Sequence, residues 1–290
     1  MPSHEDPSLT RSRRRRLGGW LAAATLLLAA SAARADLMLF PTRIVFDKNQ
    51  RAAQIELINR GRAPETYRIS IVNRRMTEDG EIKSADSAEP GEQFADAMLR
   101  YAPRQVTIAP GSSQTVRMLL RKPADLASGE YRSHLQFDRV ADATPDSSIE
   151  GDADANTGKV GVVITALIGA SIPVIVRQGE TEAHVTLAEL AFQQATADVG
   201  PSLAFQIQRD GNRSVYGDLA VTFTPRGGAP IEVAKAGGVA VYVPNPRRRA
   251  RLPLQLPPGA ALAGGTLKLS YRERADAGGK LLGEASLVLP

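Results

Sequence analysis

Between Lys159 and Arg177 the chain runs KVGVVITALIGASIPVIVR, with no charge between its two ends. A helix is poorly served here. Gly161, Gly169 and Pro173 interrupt it, and Val160, Val162, Val163, Ile164, Thr165 and Ile172 favour a pleated surface. A membrane span is excluded on the same grounds, because the run is broken and falls short of about 20 predominantly apolar residues. The pattern predicts one long strand over 159–177. Its side chains alternate: Val162, Ile164, Ala166 and Ile168 share one face, and Val163, Thr165, Leu167 and Gly169 share the other. Both faces have something to bury, so a strand like this, closing one sheet, can offer its free edge and apolar side chains to another chain.

The remaining chain falls into short alternating patterns separated by turn residues, the spacing of an all-β sandwich. Leu37 to Asp47 forms a first pattern with Arg43 in its middle, followed by Gln54 to Asn59 and Thr66 to Arg74. The polar stretch 76–93 has the composition of a loop. Leu99 to Ile108, Gln114 to Arg121 and Glu130 to Val140 then complete about seven strands with 159–177, the number in an immunoglobulin-like sandwich. From Gly179 onward similar patterns recur between turns such as Asp210-Gly211-Asn212 and Arg226-Gly227-Gly228. The expected fold is therefore all-β: two immunoglobulin-like β-sandwich domains in tandem, over 36–178 and 179–290.

Residues 1–35 have the three parts of a secretory signal: the basic run Arg13 to Arg16, the apolar segment Leu17 to Ala30, and the small-residue exit Ala33-Arg34-Ala35. Cleavage after Ala35 and export to the periplasm are the expectation. The leader also holds most of the net charge of +5, with six arginines against Glu5 and Asp6. What remains carries 30 basic and 29 acidic side chains, a balance that points to neither nucleic acid nor a stable membrane attachment after leader removal. With no cysteine, disulfides and thiolate metal sites are unavailable.

Catalytic constellations are absent. Beyond the leader the histidines are His134 and His184, each inside a strand pattern, and no metalloprotease or nucleophile-elbow spacing occurs. The acidic segment 141–158 contains Asp152, Asp154 and Asn156, the opening of a calcium loop, but the glycine falls one residue late and Val163 occupies the twelfth position. We expect no metal, no cofactor and no enzymatic activity. The basic run Arg247, Arg248, Arg249 and Arg251 lacks stacking aromatics, so a solvated strand-turn edge fits it better than a nucleic-acid patch.

An ordered set of segments carries a resemblance: LMLFPTRIVFDKNQRAAQIELINRG, VTIAPGSSQTVRMLLR, GEYRSHLQF, a long variable loop, and an apolar strand ending IPVIVRQG. Together, over most of 37–178, they resemble the periplasmic pilus-assembly chaperones. The resemblance implies a two-domain chaperone that binds an incomplete fimbrial or pilus subunit by strand addition and delivers it to an outer-membrane usher. It implies that Ile164, Ala166 and Ile168, with Val162 extending the row, are the donated side chains. It further implies that Arg43 holds the subunit's C-terminal carboxylate, for which a bidentate guanidinium is suited. The family's partner lysine does not carry over, because Pro173 occupies its place. The competing reading is a structural or adhesive β-sandwich component of a surface appendage. A sugar-binding module is disfavoured, since the single tryptophan, Trp20, lies in the leader.

Overall fold

The structure, a computed structural model, describes residues 37–140, 169–196, 198–256 and 262–290. The first sandwich comprises β1 (Leu37–Phe40), β2 (Ile44–Phe46), β3 (Ala52–Asn59), β4 (Glu65–Val72), β5 (Arg74–Met76), β6 (Ile82–Ser84), β7 (Leu99–Ala102), β8 (Gln105–Ile108), β9 (Ser113–Leu120), β10 (Gly129–Val140) and β11 (Ala170–Gln178). One sheet has the order β1-β3-β9-β7, the other β2-β11-β10-β4-β8, and β5 pairs with β6 as a separate hairpin. Every pairing between these strands is antiparallel except β2 with β11, which is parallel. The inner faces enclose a core that includes Phe46, Ile55, Leu57, Met118, Leu135 and Phe137, all fully buried.

Two of the expected strands are each divided between the sheets. The segment read as one strand over 37–47 becomes β1 in one sheet and β2 in the other, and the segment over 99–108 divides into β7 and β8 in the same way. Both breaks fall at prolines, Pro41 and Pro103, which have no N–H to give to a ladder. A second correction concerns 76–93, expected to be loop: its first part is the β5–β6 hairpin.

The second sandwich is built from β12 (Ala183–Gln193), β13 (Ser202–Gly211), β14 (Val215–Pro225), β15 (Ile231–Val241), β16 (Arg247–Pro253), β17 (Gly265–Glu273) and β18 (Leu281–Leu289). Its sheets run β12-β13-β16 and β15-β14-β17-β18 around a core that includes Leu203, Ile207, Val221, Leu267, Leu269 and Tyr271. β15 is one continuous strand, whose pairing with β14 is shifted by irregularities at Gly217/Leu219 and Val221/Thr222. The arginine run, expected at a strand-turn edge, lies within β16 itself.

A small third cluster joins the two sandwiches. Ile175 of β11, fully buried, packs with Met76, Ala240 and Tyr242, and with the half-buried Val45 and Tyr216. The β5–β6 hairpin reaches across as well: Glu78 accepts from Arg247 Nε at 2.9 Å and Arg249 Nη2 at 2.7 Å, its carbonyl accepts from the Arg249 amide at 2.7 Å, and Asn245 Nδ2 donates to the Met76 carbonyl at 2.8 Å.

Candidate functional site

Alternation along β11 decides what each face does. Ile172, Val174 and Val176 enter the first core; Ser171, Pro173, Ile175 and Arg177 stand on the outer face. Next to them on β10, Gln136, His134, Arg132 and Glu130 face the same way, opposite Ser171, Pro173, Ile175 and Arg177 in turn. On the other side β2 places Val45 beside Ile175, with Arg43 just ahead of the strand. The second sandwich closes over this face. The result is a seam between the sandwiches in which buried polar groups outnumber the apolar ones.

Charge in the seam is lopsided. Glu130, 4% exposed, receives Arg177 Nε at 3.2 Å and the Ser214 amide at 3.2 Å, while its Oε1 is buried with no partner among the described residues. Arg177 also reaches Asp47 at 3.6 Å. Arg209, from β13, is held by carbonyls: Nε donates to Asn245 at 3.0 Å and Nη1 to Gly211 at 2.6 Å. Arg43 and Arg132 have less. Arg43 lies 4.6 Å from the ring centroid of Tyr216 and 5.8 Å from that of Tyr242; Arg132 lies 4.1 Å from Tyr242 and gives Nη2 to the Arg74 carbonyl at 3.2 Å. Arg43 Nη1 and Arg132 Nε and Nη1 are buried with no hydrogen-bond partner among the described residues.

Burial pulls both guanidiniums below the usual arginine range, with Tyr242 and Glu130 partly opposing it, Arg177 lowering Arg43 further and Arg43 lowering Arg132. An arginine keeps its proton in proteins, so the downward pull measures how poorly these cations are compensated. The same burial drives Tyr242 upward. Arg43 lines a cavity of about 740 Å3 with Phe40, Tyr216 and the cations Arg177, Arg213, Arg274 and Lys280, which outnumber the acids Asp47, Glu273 and Asp276 on its walls. Phe40 is 68% exposed. The chemistry the site favours is therefore capture of an anion with oxygen acceptors, beside an apolar ring.

The edge of β11 is covered only in part. β2 pairs with Val174, Ile175 and Val176, whereas Ala170 to Pro173 have a partner on one side alone, β10, among the described residues. Pro173 sits where that cover ends, the position a strand proline tolerates. The expected donated residues Val162, Ile164, Ala166 and Ile168 lie outside the described residues, as does the leader. The structure sets Arg43, singled out from the sequence, beside Glu130, Arg132 and Tyr242, of which sequence reasoning had no sign: alternation showed which face of β10 was polar, not that a second sandwich covers it. Among the described residues no group of three or more His, Asp or Glu is arranged to hold a metal ion.

Comparison with known proteins gave likenesses in structure alone. No protein-family model matches the chain, and no curated protein matches it in sequence. Among solved structures, the YadV chaperone is 10% identical with a TM-score of 0.42, covering 88% of this chain and 100% of that one. The Pseudomonas aeruginosa CupB2 chaperone is 12% identical at a TM-score of 0.39, with 86% and 98% covered. The Salmonella enterica SafB chaperone, in complex with the SafA pilin, is 15% identical at 0.39, with 87% and 96% covered. Each of these three is a chaperone. A PapD-like domain of human CEP192 is 13% identical at 0.29, with 51% and 87% covered.

Proposed function

We propose that this chain is a periplasmic chaperone that captures an incomplete fimbrial or pilus subunit by strand addition and passes it to an outer-membrane usher. The observation that carries this reading is the alignment of a strand edge, uncovered among the described residues, with a poorly compensated cation. β2 runs parallel to β11 and occupies its edge only from Val174. A guest strand laid on the same edge ahead of that point and parallel to β11 must stop where β2 begins, so its carboxyl end arrives at Arg43. Arg43 Nη1 is a buried donor without an acceptor among the described residues, and a carboxylate supplies two.

Val162, Ile164, Ala166 and Ile168 have the parity of Ile172, Val174 and Val176, so an uninterrupted strand turns all of them to one side. Alternate apolar side chains fill the guest's groove while main-chain bonds cover its edge. In this reading residues 1–35 are the export leader, 36–178 form the subunit-binding domain and 179–290 the second domain, with neither metal nor nucleotide required.

The test is native mass spectrometry of the mature protein isolated from the periplasm of its own host, with and without Arg43→Glu. A one-to-one complex with a small secreted β-rich chain, lost in the variant, is the expected result. Bare protein or a homopolymer in both preparations overturns the reading and favours a structural component.

A further inference from the structure

A second group of buried nitrogens without partners among the described residues belongs to a cavity that Tyr242 lines and Arg43 does not. His134 Nδ1, Arg74 Nε and Arg248 Nε are each closed off from solvent with no hydrogen-bond partner among the described residues. All three residues line one cavity of about 400 Å3. Its walls come from three parts of the molecule: His134 from β10 with Ser171 and Pro173 from the free end of β11, Arg74 from the hairpin, and Tyr242 and Arg248 from the second sandwich. Arg43 is not among them. None of the described lining residues is acidic.

The charges here are fixed by partners that leave one nitrogen of each fork unused. Arg74 gives Nη2 to Gln136 Oε1 at 2.6 Å, Gln136 gives Nε2 to Asp138 at 2.6 Å, and Arg248 gives Nη1 to the Ala240 carbonyl at 2.7 Å. His134 is 3% exposed; burial, then the charges of Arg132 and Arg74, hold its imidazole down at about 3. It is therefore neutral in ordinary buffers and offers a hydrogen bond without adding charge. A buried donor with no acceptor costs free energy that an incoming acceptor recovers, and two such cations lining one cavity favour a ligand with a delocalised negative charge and two oxygens.

We infer that this cavity is a second anion site that takes a carboxylate, with Arg74 and Arg248 as the cations and His134 Nδ1–H as the third donor. Two sources share that chemistry: the terminal carboxylate of a peptide entering the cavity, and a free small carboxylic acid. Neither requires that the edge of β11 be donated to a subunit, so this site stands apart from the proposal above.

The mature chain is titrated with acetate, with a short peptide bearing a free carboxyl terminus, with its C-terminal amide, and with inorganic phosphate, following the His134 ring by NMR and binding by calorimetry. Acetate or the peptide acid is expected to move the His134 ring signals and to raise its pKa from about 3. Arg74→Gln and Arg248→Gln are each expected to weaken that binding about tenfold or more, the cost of one charge-assisted hydrogen bond. Tighter binding of the peptide acid than of acetate, with the amide inert, assigns the site to a chain terminus. Equal binding of the two acids assigns it to a free acid. A His134 ring that responds to neither acid, binding undiminished in both variants, or a preference for phosphate overturns the inference. The wild-type His134 signal reads the site directly, so the test survives a variant that fails to fold. No subunit enters it, and its outcome is independent of strand capture.

Discussion

At the scale of single residues the seam holds a cation that costs the fold stability. Arg43 is half-buried, in contact with aromatic rings but lacking a carboxylate of its own, and such a cation stabilises a fold less than an apolar side chain of similar volume. Arg43→Met should leave the unfolding free energy unchanged or raise it by about 1 kcal/mol, part of the gain being offset by the lost contact with Tyr216. Subunit capture should disappear in the same variant. Urea titration alongside the native mass measurement checks both, and a loss of more than about 1 kcal/mol would make Arg43 a structural residue. His134 gives a second prediction, in pH. Its folded pKa of about 3 lies below the unfolded value of about 6.5, so its contribution is complete above pH 6.5 and is lost as pH falls through that window towards 3. One proton per molecule corresponds to about 1.4 kcal/mol per pH unit. Unfolding at pH 5 should therefore cost about 2 kcal/mol less than at pH 7, and His134→Leu should flatten that difference in the same titration.

At the scale of elements, the β5–β6 hairpin works as a latch between the sandwiches. Its two ion pairs from Glu78 to Arg247 and Arg249 involve side chains 34% to 52% exposed, and pairs of that kind contribute less than about 1 kcal/mol each. Glu78→Ala should thus barely move the denaturation midpoint while speeding amide exchange through 74–84, since the hairpin loses two of its ion pairs to β16 and keeps only the longer one from Asp79 to Arg249 at 3.5 Å among the described residues. Gly80→Ala should do more. Gly80 has φ +84, and a Cβ there would fall 2.4 Å from the Arg248 guanidinium, so the variant must both strain the turn and displace the arginine. Equal exchange in both variants and the wild type would show that the hairpin is held by other contacts. This element also marks where sequence stops being informative. Alternation in β3, β9, β10 and β14 shows which side chains are inward, because each of these strands has one face on a core. β6 has three exposed residues and no alternation to detect. The arginines of β16 look solvated in sequence because the acid they meet, Glu78, is far away in the chain. Where β1 gives way to β2, the apolar pattern continues across Pro41 although the sheet does not, since both sheets turn their apolar side chains to the same core.

At the scale of the whole molecule, the position of Arg43, Arg132 and Glu130 depends on how firmly two separate cores are joined. Each sandwich encloses its own core, and the apolar joint between them is small: Ile175, Met76, Ala240 and Tyr242. Ile175 is the only one of these on a strand that also belongs to the first core, through Val174 and Val176. Ile175→Ala removes its side chain from a fully buried site and should cost about 2–5 kcal/mol. Because the loss falls on the joint rather than on either core, it should also separate their unfolding. Calorimetry of the wild type is expected to show the sandwiches melting together, and Ile175→Ala to show two resolved transitions, the second close to the wild-type temperature. The ion pair of Glu130 with Arg177 lies within the first sandwich, and among the described residues only the Ser214 amide hydrogen-bonds it to the second, so this contact is too slight to hold the joint closed once Ile175 is cut back. A single transition displaced downward would place the coupling elsewhere, in the Glu78 latch or the chain between β11 and β12. Two transitions in the variant would mean that the seam and its arginines are a property of the assembled pair, and that a client bound at Arg43 stabilises the joint as well as itself.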